Sequence, residues 1–177
     1  MKKGLIIILL LGQIFPFETV KNLDLKKFMG KWYVISAIPT FIEKGCSDAY
    51  DIYTLNQNGT IGIKYSATNC NIVKDGRSLN IVQEGILVDQ VNKSKWKVSF
   101  LDPWIPFYSA PYEIIILDEE NYNYVVVGST LSYGWIMSRY NTMDDSLYNT
   151  ILNELESDFN YDKNKFKKVS HNNEIIN

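Results

Sequence analysis

Between residues 31 and 139 the chain breaks into eight short runs of strand character, near 31–38, 47–55, 60–68, 79–88, 94–101, 111–117, 123–129 and 133–139. Turn residues punctuate them at Asn58-Gly59, Asp75-Gly76, Asp102-Pro103 and Asp118 to Asn121. Strands so short and evenly spaced specify an all-β sandwich or an up-and-down barrel. An aromatic content of 14% points the same way. One helix departs from the pattern, over about 143–158, where Leu147, Tyr148, Ile151, Leu152 and Leu155 recur at helical spacing and form one apolar face. Thr142, with Asp145 three residues on, marks its start as a capping box. A lone helix after eight strands should lie against the outside of the sheet. A shorter helical turn is expected over 22–28, and the polar tail from Lys163 is expected to fray at its end. With 177 residues, 46% of them hydrophobic, the chain makes one domain with a sizeable core.

The turn Gln57-Asn58-Gly59, with glycine in the left-handed position, closes a hairpin between the second and third runs. In that register facing residues sum to 116, and so do the chain's two cysteines, Cys46 and Cys70. The pair is expected to form a structural disulfide at the end away from the turn, with both residues on the outward parity. Ile61, Ile63, Tyr65 and Ala67 then point inward, facing Leu55, Tyr53, Asp51 and Ala49. On the fifth run Trp96, Val98 and Phe100 take the inward parity. Asp51 would be costly inside unless it is hydrated or hydrogen-bonded.

The chain opens MKKGLIIILLLGQIFPF, a basic start followed by an apolar stretch, which is the layout of a secretory signal peptide. The stretch is short for a membrane span, which needs about 20 apolar residues. Residues 1–17 are assigned to the signal peptide and 18–177 to the mature domain, although no small-residue cleavage site fixes the cut. No cysteine follows the apolar stretch, so N-terminal lipid attachment is not expected. Export suits the disulfide. The net charge of -2, with no basic run before the C-terminal end, gives nucleic-acid binding little support. The sole histidine, His171, lies in the tail, so a Cys–His catalytic pair or a zinc site has little support. No metal and no cofactor are expected.

Several motifs occur in a fixed order. Phe28-Met-Gly30-Lys-Trp32-Tyr33 is followed by Phe41-Ile-Glu-Lys-Gly45-Cys46, Tyr53-Thr-Leu55 with Asn58-Gly59, and Lys97-Val-Ser-Phe100. Then come Pro106-Phe107-Tyr108, Tyr112-Glu-Ile-Ile-Ile-Leu-Asp118 and Tyr133-Gly-Trp135-Ile-Met-Ser-Arg139. In these residues, over about 22 to 170, the chain resembles the lipocalins, and among them the bacterial branch related to apolipoprotein D. The resemblance implies an eight-stranded antiparallel up-and-down barrel with one C-terminal helix packed outside. It implies structural roles for Gly30, Trp32 and Arg139, with Trp32 plugging the closed end and Arg139 packed across it. Lipocalins often carry Thr-Asp-Tyr before the seventh strand. Glu119-Glu120-Asn121-Tyr122 keeps only the tyrosine, which leaves the detail of that turn open.

An eight-stranded barrel has room for packed side chains or for one small ligand. Inward Tyr53, Tyr65, Trp96, Phe100, Tyr112 and Trp135 would line an aromatic cavity, and the resemblance places Tyr53 and Trp135 at the ligand. Alternation adds Val34, Ser36, Ile38, Ile63, Val98 and Ile114 to the ligand-binding set. Pro39 to Gly45 would form a loop over the mouth, with Phe41 and Ile42 as lid residues. The expectation is a non-enzymatic protein that binds and transports or stores a fatty acid or lysophospholipid at the cell envelope. The compartment would be the periplasm, the outer membrane or the medium; peripheral membrane contact is compatible with this, and the oligomeric state stays open. Two alternatives also stay open. One is an isomerase on the same frame with a cysteine nucleophile, and the other is an inhibitor or interaction module with a filled barrel that works through its loops. The sequons at Asn58 and Asn92 are expected to go unused, since the resemblance is to bacterial proteins.

Overall fold

The computed structural model of the protein describes residues 17–73 and 77–172. The assigned signal peptide up to residue 16 and the Asp75-Gly76 turn lie outside the described residues. Eight strands make the barrel: β1 (Gly30–Ile38), β2 (Ser47–Leu55), β3 (Ile61–Thr68), β4 (Leu79–Leu87), β5 (Lys95–Asp102), β6 (Trp104–Leu117), β7 (Tyr124–Thr130) and β8 (Tyr133–Ser138). Each is antiparallel to its neighbour in sequence, and β8 pairs with β1, so the sheet closes and leaves no long edge. The outer half of β1 leaves β2 and pairs instead with a short strand β9 (Lys167–Lys168). The tail is therefore tied down as far as Asn172, whose backbone N–H donates to Asp48 Oδ1 at 2.6 Å. The end of the tail, where fraying is expected, lies beyond residue 172 and outside the described residues. Among the described residues there are two α-helices, α1 (Leu25–Phe28) at the start of β1 and α2 (Asp145–Ser157) outside the barrel, and a short 3-10 helix (Lys163–Lys165). None of the described helices is long and apolar enough to cross a membrane.

The 57–59 turn forms as expected. Gly59 has φ +82°, and Asn56 N–H donates to the Thr60 carbonyl at 2.9 Å. Asp51 faces Tyr65, Tyr53 faces Ile63 and Leu55 faces Ile61, the register read from the sequence. Leu55 is nevertheless 38% exposed, because it stands at the strand end beside the turn. The register slips between Ser47 and Tyr50, where Asp48 adopts φ +51°. Cys46 and Cys70 still form their disulfide. The slip changes their side: Cys70 is buried in the interior cluster, not on the outward parity.

A second slip corrects the ligand set. In β1, Val34 pairs with Met137 while Ser36 pairs with Ile136, so Ile35 is the extra residue of a bulge. Trp32, Val34 and Ala37 face the interior. Ser36 and Ile38, expected inside, instead face α2. Ser36 Oγ shares a hydrogen bond with Tyr148 Oη at 3.0 Å, and Ile38 joins Ile35 against the helix. Tyr148, Ile151 and Leu155 form the buried stripe of α2 and cover Ile35, Ile115, Ile116, Val126 and Ile136. The cap of α2 is Asp144, whose Oδ1 accepts from Ser146 N at 2.8 Å and Leu147 N at 3.2 Å. This replaces the expected Thr142 box, because a carboxylate one residue before the helix already satisfies the first free N–H groups.

The end of the barrel next to α1 is closed. Trp32 is fully buried, and its Nε1–H donates to the Phe28 carbonyl at 2.8 Å. The Arg139 guanidinium lies 3.7 Å from the centre of the Trp32 ring system. Its nitrogens donate to the carbonyls of Lys27 (2.7 Å), Phe28 (3.0 Å), Lys31 (2.9 Å) and Tyr122 (3.3 Å). Glycine suits position 30 because its φ is +98°, and a Cβ there would just touch Arg139 Nη1 at 3.4 Å. In the turn before β7, Asp118 accepts from Asn121 N and Asn123 N, and the retained Tyr122 accepts from Asp24 N–H at 3.0 Å. Removing the guanidinium forfeits the cation–π contact and leaves four backbone carbonyls, three of them in part-buried bonds, without their donor. Arg139→Met is therefore expected to lower stability by about 3 kcal/mol or more, read as a fall in the urea midpoint at unchanged m. Arg139→Lys, which keeps the charge without the planar fork, should fall between the two. A loss below about 0.5 kcal/mol for Arg139→Met would contradict this reading of the cap.

Candidate ligand-binding site

The interior of the barrel divides by depth. At the closed end Phe28 lies 5.3 Å from Trp32, 5.2 Å from Tyr53 and 5.4 Å from Trp96, measured between ring centres. Tyr53, Trp96 and Ile114 are almost fully buried and form a packed floor with these rings. Above the floor the side chains stop meeting. A cavity of about 340 Å³ opens there, walled by Ile63, Tyr65, Ile81, Val98, Phe100, Tyr112 and Trp135. Trp96 stacks on Tyr112 at 5.4 Å, and Tyr112 on Trp135 at 6.3 Å, so an aromatic ladder runs from floor to wall. The cavity is rimmed by Thr40, Phe41, Ile42 and Glu43 of the loop after β1, and by Ile105 and Tyr108 from the outer half of β6. Gly45 holds that loop's return. Its φ is +77°, and a Cβ would fall 2.1 Å from Asn71 Oδ1.

Two carboxyl groups reach this largely apolar space. Glu43 Oε1 accepts from Trp135 Nε1–H at 2.8 Å, and its Oε2 accepts from Thr40 N (2.9 Å) and Thr40 Oγ1 (2.6 Å). Asp51 points inward from β2 and is 8% exposed. Its Oδ2 accepts from the Tyr53 hydroxyl at 3.3 Å, and Tyr53 is also hydrogen-bonded to the Tyr112 hydroxyl. Burial pushes the Asp51 carboxyl up to about 8, and the charge of Glu43 adds to the rise, while the Tyr53 hydrogen bond opposes it. Burial likewise raises Tyr53, Tyr65 and Tyr112, so all three stay neutral phenols.

Of the residues assigned to the ligand from sequence, Ile63, Tyr65, Val98, Phe100, Tyr112 and Trp135 line the cavity. Tyr53, Trp96 and Ile114 lie beneath it as floor. Val34 lines a separate cleft, under the 43–46 turn and residues 167–170. Ser36 and Ile38 lie outside the barrel, as the bulge dictates. Sequence reasoning missed Ile81, Gln83, Ile105, Tyr108 and Tyr133, and it gave Glu43 no role. Ile81 and Gln83 were within reach: they face Tyr65 and Ile63 across β3, so carrying the hairpin register one strand further finds them. Glu43 carries no periodic signal because it sits in a loop.

A closed barrel with an aromatic cavity at one end has the architecture of a barrel with room for one small molecule. Comparison with known proteins identifies the kind. A family model described as a Lipocalin-like domain matches residues 23–171. The chain is 32% identical over 156 residues to apolipoprotein D of Macaca fascicularis, covering 83% of this chain and 77% of that protein. It is 27% identical over 156 residues to the outer membrane lipoprotein Blc of Vibrio cholerae, covering 88% of this chain and 86% of that protein. Among solved structures, insecticyanin from the tobacco hornworm Manduca sexta superposes with a TM-score of 0.70, covering 92% of this chain and 88% of that one. Its sequence identity of 16% makes that a likeness of fold. The chain belongs to the lipocalin-like family, on the branch that includes apolipoprotein D and the bacterial Blc lipoproteins. Members of this family typically bind small hydrophobic ligands.

Asp51 sets a pH dependence whose sign follows from its environment. Its carboxyl is raised from an ordinary 3.8 to about 8, so over that window the folded protein holds a proton that the unfolded chain has released. Its contribution to stability is complete below the unfolded value and is lost as pH rises through the folded one, by up to about 1.4 kcal/mol per pH unit. Asp51→Asn keeps the shape and removes the titration. Urea denaturation from pH 4 to 9 should show the variant matching the parent at the acid end and exceeding it by about 2 kcal/mol or more at the alkaline end. Parallel curves would mean that Asp51 is hydrated and ionised at neutral pH.

Proposed function

We propose that this protein is a non-enzymatic carrier that binds one fatty acid or lysophospholipid molecule in the barrel cavity and transports or stores it at the cell envelope. The observation that carries the reading is the cavity itself. An aromatic and aliphatic space that opens at one end and is closed at the other accepts one elongated apolar group. Each methylene buried there contributes about 0.8 kcal/mol, so ten give roughly 8 kcal/mol before the cost of ordering the chain. Exposed apolar side chains at the mouth, among them Phe41, Trp104, Ile105 and Tyr108, extend the apolar surface beyond the cavity and would meet a tail that outgrows it. They also suit brief peripheral contact with a membrane during loading.

The signal-like N-terminus, the Cys46–Cys70 disulfide and relatives named as an outer membrane lipoprotein and an apolipoprotein support an exported protein. The isomerase alternative needs a free cysteine nucleophile, and both cysteines are spent in the disulfide. The interaction-module alternative does not call for an open cavity.

Native mass spectrometry of the purified protein, before and after addition of a lysophospholipid or palmitate, is expected to show one-to-one uptake with a shift in tryptophan fluorescence. Trp135→Phe should remove most of that shift, since Trp135 is the tryptophan in the cavity wall. Ala110→Trp, which fills the cavity from β6, should abolish uptake without loss of folding. A folded, disulfide-bonded protein that takes up neither ligand would overturn the carrier reading.

A further inference from the structure

The cavity is apolar where β5 passes into β6, and its two carboxyl groups come from β2 and the mouth loop. Phe100, Ile105 and Tyr108 stand where β5 passes into β6, at the mouth. Asp51 lies deeper, opposite Trp32 of the cap and hydrogen-bonded to Tyr53 of the floor. Its Oδ2 accepts that one bond, and its Oδ1 has no hydrogen-bond partner among the described residues, although the side chain is more than nine-tenths buried. Glu43 comes in from the mouth loop, close enough that its charge raises Asp51, Tyr65 and Tyr112 together. No Lys, Arg or His is among the described lining residues. The guanidinium of Arg139, below the floor, is occupied by four backbone carbonyls.

These placements treat ligand head groups unequally. A carboxylate carried inward would lose its hydration, meet the charge of Glu43 and find no cation. An ammonium would meet the free oxygen of Asp51, the Glu43 carboxylate and the ring faces of Tyr65, Tyr112 and Trp135. We propose that the cavity selects amphiphiles with an ammonium head, bound head-first with the nitrogen between Asp51 and Glu43 and the tail leading out past Phe100, Ile105 and Tyr108, and that it discriminates against carboxylate heads. This rests on the carrier reading and narrows it: fatty acids become the disfavoured class, and a lysophospholipid fits through an ammonium in its head. The groups that face Asp51 are Glu43 from the mouth loop, Tyr53 from its own strand, Tyr65 from β3 and Tyr112 from β6. An ammonium seated among them favours the ionised acid, so binding near neutral pH releases a proton and tightens as pH rises.

Three ligands of equal chain length separate the outcomes: dodecyltrimethylammonium, dodecanoate and dodecanol. Their affinities for the full chain are measured by calorimetry below micellar concentration, in two buffers of different ionisation enthalpy. The expected result is ammonium binding at least about tenfold tighter than dodecanoate, with proton release. That preference should shrink at least fivefold in both Asp51→Asn and Glu43→Gln, and proton release should vanish in Asp51→Asn. Dodecanoate binding as tightly as the ammonium, or dodecanol matching it, would overturn the head-group inference and leave the carrier reading standing. Absence of binding by all three to folded protein would overturn both.

Discussion

The Arg139 guanidinium laid on the Trp32 ring is the contact on which the rest of the barrel depends. Trp32 lies on β1 and Arg139 directly follows β8, and these are the strands whose pairing closes the sheet. The ring fills the narrow end, and the guanidinium covers it and gathers the carbonyls of α1, β1 and the turn before β7. A cation is affordable there because each donor has a partner. Burial lowers the basicity of Arg139, yet a guanidinium stays charged under such a shift where an ammonium is more easily neutralised. Gly30 has no side chain to obstruct the approach.

A firm floor lets the other end stay open. Phe28, Tyr53 and Trp96 pack against the cap and leave the upper half of the barrel to bulk that they do not supply. The same depth order arranges the electrostatics. Cationic charge lies below the floor and anionic charge above it, with a neutral phenol chain from Tyr112 through Tyr53 to Asp51 between them. Asp51 can be buried because it keeps its proton and accepts a hydrogen bond, which answers the cost that its inward parity implied. The external helix α2 takes no part in the site. It covers the apolar outer face that the two bulged strands β1 and β6 present.

Most of the architecture was legible in the sequence because turn chemistry and alternation both leave local marks. Asn58-Gly59 fixed one register, and that register located Asp51, Tyr53, Ile63 and Tyr65 on the inner face. What escaped were single-residue slips. Nothing in Val34-Ile35-Ser36 announces a bulge, because a buried strand packed on both faces is apolar throughout, and one extra residue sends Ser36 and Ile38 to the helix. The outer half of β6 was missed because Trp104-Ile-Pro-Phe107-Tyr108 contains Pro106, is flanked by Pro103 and Pro111, and has no alternation. Glu43 was missed because its role depends on a loop folding over Trp135, a contact between residues 92 positions apart. The site was therefore readable where one hairpin register could be carried along regular strands, and was lost at bulges, at the proline-rich start of β6 and at Glu43.

The most direct test is where a tagged tail lies. A crystal of the protein with 12-bromododecyltrimethylammonium would report the bromine by its anomalous signal and the head by its density. The account predicts one molecule inside the barrel, with the head above Asp51 and the bromine toward Ile105 and Tyr108. Bromine against Trp96 on the floor would reverse the orientation, and a molecule found only outside the barrel would contradict the cavity as the binding site.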